Sequence, residues 1–285
     1  MSRPLTLWHY TDAIGFHGIL QSGRLRMGDA RFLNDRTERT YGIGVVTKVL
    51  NETISSLGSA ELLRVAHSYM AVAASDTNLH VCSFSGHPDA IGQWQRYGGN
   101  GSGYCIGFDA NLITTDILSR AGVTLQRMIY RVDEQEMMTR LRIEQLYAHF
   151  GAYISRTDLG LSTEELKERA GARISVELEE TALQLKHPLF ADENEWRLIK
   201  KVGTGPMAEK QPTILFAPRG EYVKPFIEIE LYVGKADVGK LPVSHVICGP
   251  KLDGDLAITC ARQFLENCGY PDVRTAWSET HKIWR

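Results

Sequence analysis

The chain has 285 residues and a mass of 31.9 kDa, which is near the upper size limit of one domain. Its 43% hydrophobic, 23% charged and 9% aromatic residues are typical of a globular protein. The apolar runs are only a few residues long, which excludes a membrane-spanning helix, and the N-terminus lacks the apolar stretch of a secretory signal. A formal net charge of −2 argues against a general polyanion binder.

The cysteines predict a redox state and a compartment. There are five of them, an odd number, and no two form a CxxC pair. This pattern favours reduced, buried thiols in a cytoplasmic protein over a disulfide framework or a zinc site. The five are Cys82, Cys105, Cys248, Cys260 and Cys268.

The first half of the chain predicts short elements of alternating type. Asp12 can cap a helix that ends at Ser22-Gly23. Pro88 suits the first turn of a helix, and the GGNGSG stretch is typical of a hairpin-like turn into a strand. The other predicted elements are a strand over RLRM, helices over 37–57 and 60–74 (the second opened by Ser59), and strands over 79–85, YCIGF and 123–131.

Residues 132–187 are rich in Glu, Arg and Leu and predict a helical insertion or lid, with Ser162 and Glu165 at capping-box spacing. Strands then dominate, and FIEIEL alternates apolar and acidic residues as a half-solvated antiparallel strand does. This irregular order predicts one α+β domain over residues 1–285 with mixed or antiparallel sheets. The later elements are strands over EWRLIKKV, TILFA, FIEIELYV, VSHVICG and VRTAWS and a helix over about 255–268.

Familiar catalytic motifs are missing from the sequence. The glycines at 98, 99, 101 and 103 precede a strand and no GK[ST] follows, so they predict a turn and not a phosphate loop. The sequence contains no GxSxG, HExxH or zinc-deaminase pattern. Its nine histidines form no ligand pair at helical spacing.

The first of four polar clusters is Trp8-His9-Tyr10-Thr11, at the end of the first strand. His9 could bond a ribose hydroxyl or an amide, and Tyr10 could stack on a ring. The alternative is an aromatic core cluster followed by a helix cap.

The second cluster is Asn34-Asp35-Arg36-Thr37-Glu38, within a segment that holds five arginines against three acids over residues 24–39. Guanidinium groups such as those of Arg31 and Arg36 could hold a pyrophosphate, with Asn34 beside them. A capped helix start with solvated charges is the alternative.

The third cluster joins Ser85, at the end of the CSFS strand, to Trp94 and Tyr97 of the following helix. A strand that ends in small hydroxyl residues can approach a ligand closely, and Trp94 and Tyr97 lie three residues apart on one helix face. In the alternative, Trp94 fills the core and Arg96 is exposed.

The fourth cluster is Glu193-Asn194-Glu195-Trp196-Arg197. If this segment is a strand, Glu193, Glu195 and Arg197 project to the same side, because side chains alternate with period two. One acid could stabilise an oxocarbenium-like centre while the other accepts a proton from the acceptor. Ordinary charges on a strand edge are the alternative.

The order of these segments resembles a widespread bacterial domain family of unknown function, from about residue 5 to 280 and least over 110–185. The segments are WHYT, FLND…E, CSFS, QW.RY, G..IGF, K.P.F..E.EWR and a late GP. That family in turn resembles a divergent branch of the ADP-ribosyltransferase superfamily, near the DNA-targeting toxins of toxin–antitoxin systems. The middle motif departs from the superfamily pattern, since it is CSFS and not S-T-S.

The resemblance implies a split core of two sheets that holds NAD as a substrate. It implies that Glu195 and Glu193 are catalytic, and that an acceptor such as DNA, RNA or protein is modified in a toxin or phage-defence system with a cognate antitoxin or partner. The residues it implies as NAD-binding, together with the cluster residues above, are His9, Tyr10, Arg31, Asn34, Arg36, Ser85, Trp94 and Tyr97.

Two other functions stay open. One is a nucleic-acid-binding module or nuclease in which Asp35, Glu38, Glu193 and Glu195 hold Mg²⁺. The other is a non-catalytic sensor or interaction protein on the same scaffold.

Overall fold

The structure is a computed structural model that describes residues 5–33, 36–57, 60–73, 79–155, 160–202, 212–219, 221–232 and 240–284. Contacts divide the chain into two compact units. The sheet unit comprises Met1–Gly28, His80–Arg127 and Asp192–Arg285. The helical unit comprises Asp29–Leu79 and Met128–Ala191.

The strands are β1 (Thr6–Thr11), β2 (Leu25–Asp29), β3 (Leu79–Ser85), β4 (Tyr104–Asp109), β5 (Thr124–Arg127), β6 (Glu195–Lys201), β7 (Leu215–Arg219), β8 (Tyr222–Ile229), β9 (Val243–Cys248) and β10 (Arg274–Trp277). They follow the order β10-β9-β4-β1-β3-β2-β8-β7, and β6 pairs with both β3 and β5. The β9–β10 pair is parallel, whereas the β1–β4 and β2–β8 pairs are antiparallel. The sheet is therefore mixed.

The helices are α1 (Ala13–Ser22), α2 (Arg36–Ser56), α3 (Glu61–Ala73), α4 (Ile91–Arg96), α5 (Thr115–Ala121), α6 (Val132–Ile154), α7 (Thr163–Ala182) and α8 (Gly254–Asn267). Together with the strands they confirm the predicted α+β class. No helix of the described residues is long and apolar enough to cross a bilayer.

The predicted division into two sheets is corrected, because hydrogen bonds join all the described strands into one sheet. The connection is narrow at its centre. Six residue pairs join β1 to β4, whereas β1 and β3 share the single pair Trp8–Ser85. A single pair is enough to connect the two parts of the sheet at this β1–β3 junction.

Local sequence explains how the sheet unit is built. The Asp12 carboxylate accepts a hydrogen bond from the Gly15 amide at 2.7 Å, and Gly23 ends α1 with a φ of 64°, so the predicted caps of this helix are confirmed. The FIEIEL alternation also holds. Ile227 and Ile229 are buried in the core, while Glu228 between them is partly exposed.

The helical unit has its own apolar core, which α2, α3, α6 and α7 share through residues such as Val49, Leu63, Ile143 and Ile174. The predicted capping box of Ser162 and Glu165 is confirmed at the start of α7. The segment 132–187 is thus helical as expected, but it packs together with α2 and α3. Its role as a lid stays a prediction.

Two predicted boundaries are wrong. Pro88 precedes α4, which begins only at Ile91. The glycine stretch forms the predicted turn into β4, although as a short 3₁₀ turn and not as a hairpin. The strand predicted over 123–131 ends at Arg127, because Ile129 instead exchanges backbone hydrogen bonds with Gln184 and Lys186 at 2.8 and 3.1 Å. Ser59 lies outside the described residues.

The cysteines are free thiols, but they are not all buried as predicted. Cys82, Cys105 and Cys248 are buried, Cys268 is partly exposed and Cys260 is exposed on α8. Burial raises the pKa of Cys82 and of Cys248 to about 12. These two thiols therefore carry almost no reactive thiolate near neutral pH.

We expect Cys260 to react first when the native protein is treated with a disulfide reagent at pH 8. The three buried thiols should react slower by about two orders of magnitude or more, because their thiolate fraction is small and access is blocked. The time course of thiol release measures this, and Cys260→Ser should remove the fast phase. Several fast thiols in that variant would contradict the core described above.

Candidate functional site

The β1–β3 junction places His9 next to β3. Next to the Trp8–Ser85 backbone pair, β1 also contacts β3 through a side chain. The Nδ1 atom of His9 lies 2.9 Å from the Ser83 carbonyl oxygen. Its ring lies 5.7 Å from the ring of Phe84. The first-strand histidine is thus fixed at the point where the two parts of the sheet meet.

The end of β3 is fastened to the segment that precedes β6. The Ser85 hydroxyl donates to the Glu193 carbonyl oxygen at 2.8 Å and accepts from the His87 amide at 3.1 Å. The Gly86 amide donates to the Asn194 carbonyl oxygen at 2.8 Å. A Cβ atom on Gly86 would lie 2.3 Å from the Asn194 side-chain amide, so a larger residue here would displace that side chain. Ser85 and Glu193, two of the predicted site residues, therefore meet.

The two predicted catalytic acids do not lie on one strand, as the period-two pattern suggested. Glu193 ends a 3₁₀ turn, and β6 begins only at Glu195. Between them Asn194 has a φ of 41°, in the left-handed region that Asn tolerates better than most residues. The left-handed residue interrupts the alternation, so the shared-face prediction holds for Glu195 and Arg197 but fails for Glu193.

Glu193 is a buried carboxylate with a partner that reaches the surface. Its side chain is 4% exposed, and its Oε1 atom lies 2.8 Å from Nη1 of Arg96, whose side chain is 44% exposed. Arg96 also donates from Nε to the Gly92 carbonyl oxygen at 3.2 Å, which holds the guanidinium on α4. Sequence reasoning did not select Arg96, although it lies in the QWQRY segment between the selected Trp94 and Tyr97.

Glu195 has a partner that is buried with it. Arg197 donates from Nε to Oε1 at 2.6 Å and from Nη2 to Oε2 at 3.1 Å, a bidentate ion pair between residues that are 5% and 3% exposed. A buried pair of this kind stabilises the ionised carboxylate only while the guanidinium stays in place. Glu195 is therefore held rigidly and its charge is neutralised locally.

Trp94 and Tyr10 form the aromatic support of the site. Trp94 has no exposed surface, its ring meets that of Tyr10 edge-on at 5.0 Å, and its indole N–H donates to Asp89 at 2.7 Å. Trp94 thus fills the core, as the alternative interpretation expects, and its predicted contact with a ligand stays a prediction.

Tyr10 holds the loop that precedes α4. Its hydroxyl donates to the His87 carbonyl oxygen at 3.2 Å and accepts from the Ala90 amide at 2.8 Å. Burial raises the pKa of Tyr10 far above its ordinary value, so the hydroxyl stays protonated and keeps both bonds. Tyr97 is partly buried against the cluster that contains Tyr10 and Trp94, and its predicted stacking on nicotinamide stays a prediction.

Asp89 is a second residue that sequence reasoning missed. It has a φ of 56°, and besides the Trp94 indole it accepts hydrogen bonds from the Ser278 hydroxyl and, at 2.6 Å, from the Glu279 amide. The loop before α4 is thereby tied to the C-terminal segment of the chain. Its signal in the sequence was only an acidic residue after Pro88, which is common in turns.

The predicted pyrophosphate grip lies in the helical unit. Arg31 forms a bidentate pair with the buried Asp29, with Nε 3.0 Å from Oδ1 and Nη2 2.6 Å from Oδ2. Asn34 lies outside the described residues, and so does the side chain of Arg36. The role of these three residues in binding a diphosphate stays a prediction.

The described residues contain no group of three His, Cys, Asp or Glu side chains that could hold a metal ion. Of the acids in the nuclease alternative, Asp35 and the side chain of Glu38 lie outside the described part of the chain. The structure therefore adds no support to a magnesium site.

Comparison with known proteins identifies one matching family model, described as "Protein of unknown function (DUF2971)", over residues 93–198. This match runs from α4 into β6 and is shorter than the 5–280 range of the resemblance. It includes Arg96, Glu193 and Glu195 of the site described above. No curated protein and no solved structure matches the chain. The middle of the chain is therefore similar to a family of unknown function.

We expect Trp94→Ala to lower the free energy of unfolding by about 3–5 kcal/mol, because it empties a fully buried site and leaves Asp89 without its indole donor. Chemical denaturation measures this loss. Ile91→Ala, at a more exposed position of α4, is the matched control and should cost about 0.5 kcal/mol or less. A loss near zero for Trp94→Ala would place the indole at the surface and restore its interpretation as a ligand contact.

We expect Glu195→Gln and Arg197→Met each to cost about 3–5 kcal/mol, because each change leaves one buried charge without its partner. The double variant should be more stable than the sum of the two losses predicts, since it removes both charges together. Asp133→Asn, which breaks the exposed pair of Arg131 and Asp133, is the control and should leave the free energy of unfolding nearly unchanged. Additive losses in the Glu195–Arg197 cycle would show that the two side chains do not act as a pair.

Proposed function

We propose that the protein consumes NAD, releasing nicotinamide and transferring ADP-ribose to an acceptor or to water. The observation that supports this most is the set of contacts that fastens the end of β3 to the start of β6. Through it the Ser85 hydroxyl bonds to the Glu193 carbonyl oxygen, and Ser85 also pairs with Trp8, the neighbour of His9 on β1. The resemblance to ADP-ribosyltransferases assigns His9, Ser85 and Glu193 to the site that holds NAD.

The chemistry follows from where charge develops. Departure of nicotinamide leaves positive charge on the ribose C1′, and a fixed carboxylate stabilises such a centre strongly in a water-poor site. Glu195, held in position by Arg197, would stabilise this charge, and Glu193 would accept the proton of the attacking hydroxyl. In this scheme each acid has the role that its resemblance implies.

Arg96 extends the scheme beyond the residues that the sequence suggested. Its guanidinium reaches from the buried Glu193 to the surface, and a guanidinium suits a diphosphate oxygen through its paired N–H donors. An incoming anion would draw Arg96 toward itself and weaken its hold on Glu193. Loss of this ion pair on substrate binding would make Glu193 a stronger base.

The acceptor classes in the proposal are DNA, RNA and protein, and the setting is a cytoplasmic toxin or phage-defence system with a cognate antitoxin or partner. These finer statements rest on the resemblance to DNA-targeting transferases. The helices α6 and α7 are proposed to close over the substrate or to select the acceptor.

A non-catalytic scaffold is the second candidate, and the Glu195–Arg197 pair favours it. A carboxylate that is neutralised by a buried bidentate partner is well suited to a structural role. In that case the cluster would bind NAD or a related nucleotide without turnover.

We expect the wild-type protein to release nicotinamide from NAD, and Glu193→Gln to lower the rate by about 100-fold or more, as loss of a general base does. Glu266→Gln, an exposed acid on α8, is the matched control and should leave the rate unchanged. We expect Glu195→Gln to destabilise the fold, because it leaves Arg197 without its partner. Its rate is therefore compared with that of the Glu195→Gln/Arg197→Met variant, which removes both charges. DNA, RNA or a cell extract is added in separate reactions to find the acceptor.

The possible results separate the two candidates. Release that depends on Glu193 supports the transferase, and the additive that accelerates it identifies the acceptor class. A thermal shift by NAD without any release would favour the non-catalytic scaffold. Absence of both, with every additive, would overturn the proposal.

A further inference from the structure

A cleft in the sheet unit lies at the end of β6 opposite to Glu195. It has a volume of about 660 Å³, within the usual range for small-molecule sites. Residues of α5, β6, β7 and β8 line it, and none of the ten predicted site residues is among them. The cleft is thus a separate feature of the same unit.

The acidic side chains of the cleft form ion pairs with arginines. Arg24 holds Glu230 with Nε and Nη2 at 3.0 and 2.7 Å, and Arg26, on the strand beside it, lies 3.4 Å from Glu228. Opposite charges in such pairs largely cancel at a distance. This side of the cleft is therefore close to neutral.

The other side carries cations. Lys200 lies at the end of β6, and its Nζ atom donates to the Ala121 carbonyl oxygen at 2.6 Å and, less closely, to that of Gly122 at 3.4 Å. Arg120, at the end of α5, also lines the cleft and pairs with Asp116, a 77% exposed acid that does not line it. The two cations thus belong to the same cleft.

Lys200 has capacity for one more partner. An ammonium group has three N–H donors, and two carbonyl groups of the described residues take two of them. Burial lowers the pKa of Lys200, which means that the surroundings do not fully compensate its charge. An anion in the cleft would compensate the positive charge of Lys200, and it would also accept a hydrogen bond from the third N–H group of its ammonium.

Apolar side chains give the cleft room for more than an inorganic ion. Ile117, Leu215 and Ile229 contribute to its walls, and Gly122 leaves space at Lys200, since a Cβ atom there would lie 2.9 Å from Nζ. A pocket with apolar walls and a few polar groups at one side selects a ligand with an apolar body and one charged end.

We propose that this cleft binds a small organic phosphate, with Lys200 and Arg120 holding the phosphate and the apolar walls holding the body of the ligand. A phosphate accepts hydrogen bonds from both an ammonium and a guanidinium group. The site does not depend on the proposed NAD chemistry, because it shares no residue with it.

Phenyl phosphate, phenol, benzoate and inorganic phosphate are the probes, and isothermal titration calorimetry on the full chain is the measurement. We expect phenyl phosphate to bind best, inorganic phosphate and benzoate to bind more weakly, and phenol to bind weakest. Lys200→Gln and Arg120→Gln should each weaken phenyl phosphate by about tenfold or more, which corresponds to one charged hydrogen bond. Lys282→Gln, which removes an exposed positive charge elsewhere, is the matched control.

Two results would overturn the proposal. One is no binding of phenyl phosphate to the folded wild-type protein. The other is binding that Lys200→Gln, Arg120→Gln and Lys282→Gln all change equally, which would indicate general attraction to positive charge. If Lys200→Gln lowers the melting temperature, Arg120→Gln alone decides, because its exposed guanidinium does not bond to α5 carbonyl groups. Loss of phosphate binding with unchanged nicotinamide release would separate this site from the NAD-consuming one.

Discussion

The fastening of Ser85 and Gly86 to the segment before β6 is the constraint on which the rest of the site depends. Two hydrogen bonds of 2.8 Å make it, one from a side chain and one from the backbone. Because β1 meets β3 at the single Trp8–Ser85 pair, the same residue also holds the two parts of the sheet together. A shift of Ser85 would therefore move the His9 strand and the acidic segment at once.

Burial decides what the acidic residues can do. Glu193 and Glu195 are both nearly inaccessible, yet their partners differ, since Arg96 reaches solvent and Arg197 does not. A competing anion can reach a half-exposed partner, whereas a bidentate buried pair resists separation. Under the proposed function, Glu193 is thus the acid that a ligand would influence, and Glu195 is the acid whose position is fixed.

The correct predictions of the fold came from local patterns, which depend only on residues close together in the sequence. The Asp12 cap, the Ser162–Glu165 box and the FIEIEL alternation each depend on residues a few positions apart, and each is found in the structure. The boundary at Arg127 depends instead on Gln184 and Lys186, more than fifty residues away in sequence. No local signal could reveal that pairing.

The sequence allowed the residue types of the site to be predicted, but it did not reveal which side chains form ion pairs. Its acids, its histidine and its serine were recognisable, whereas the partner of Glu193 is a residue of another element, and nothing in QWQRY distinguishes Arg96 from a solvated charge. The error over Glu193 has a definite cause: Asn194 adopts a left-handed φ that a period-two argument does not allow for. Because that one residue turns Glu193 away from the regular alternation, it also lets Glu193 and Glu195 take different partners. Two acids with different partners can hold different roles, which two equivalent acids on one strand face could not do so readily.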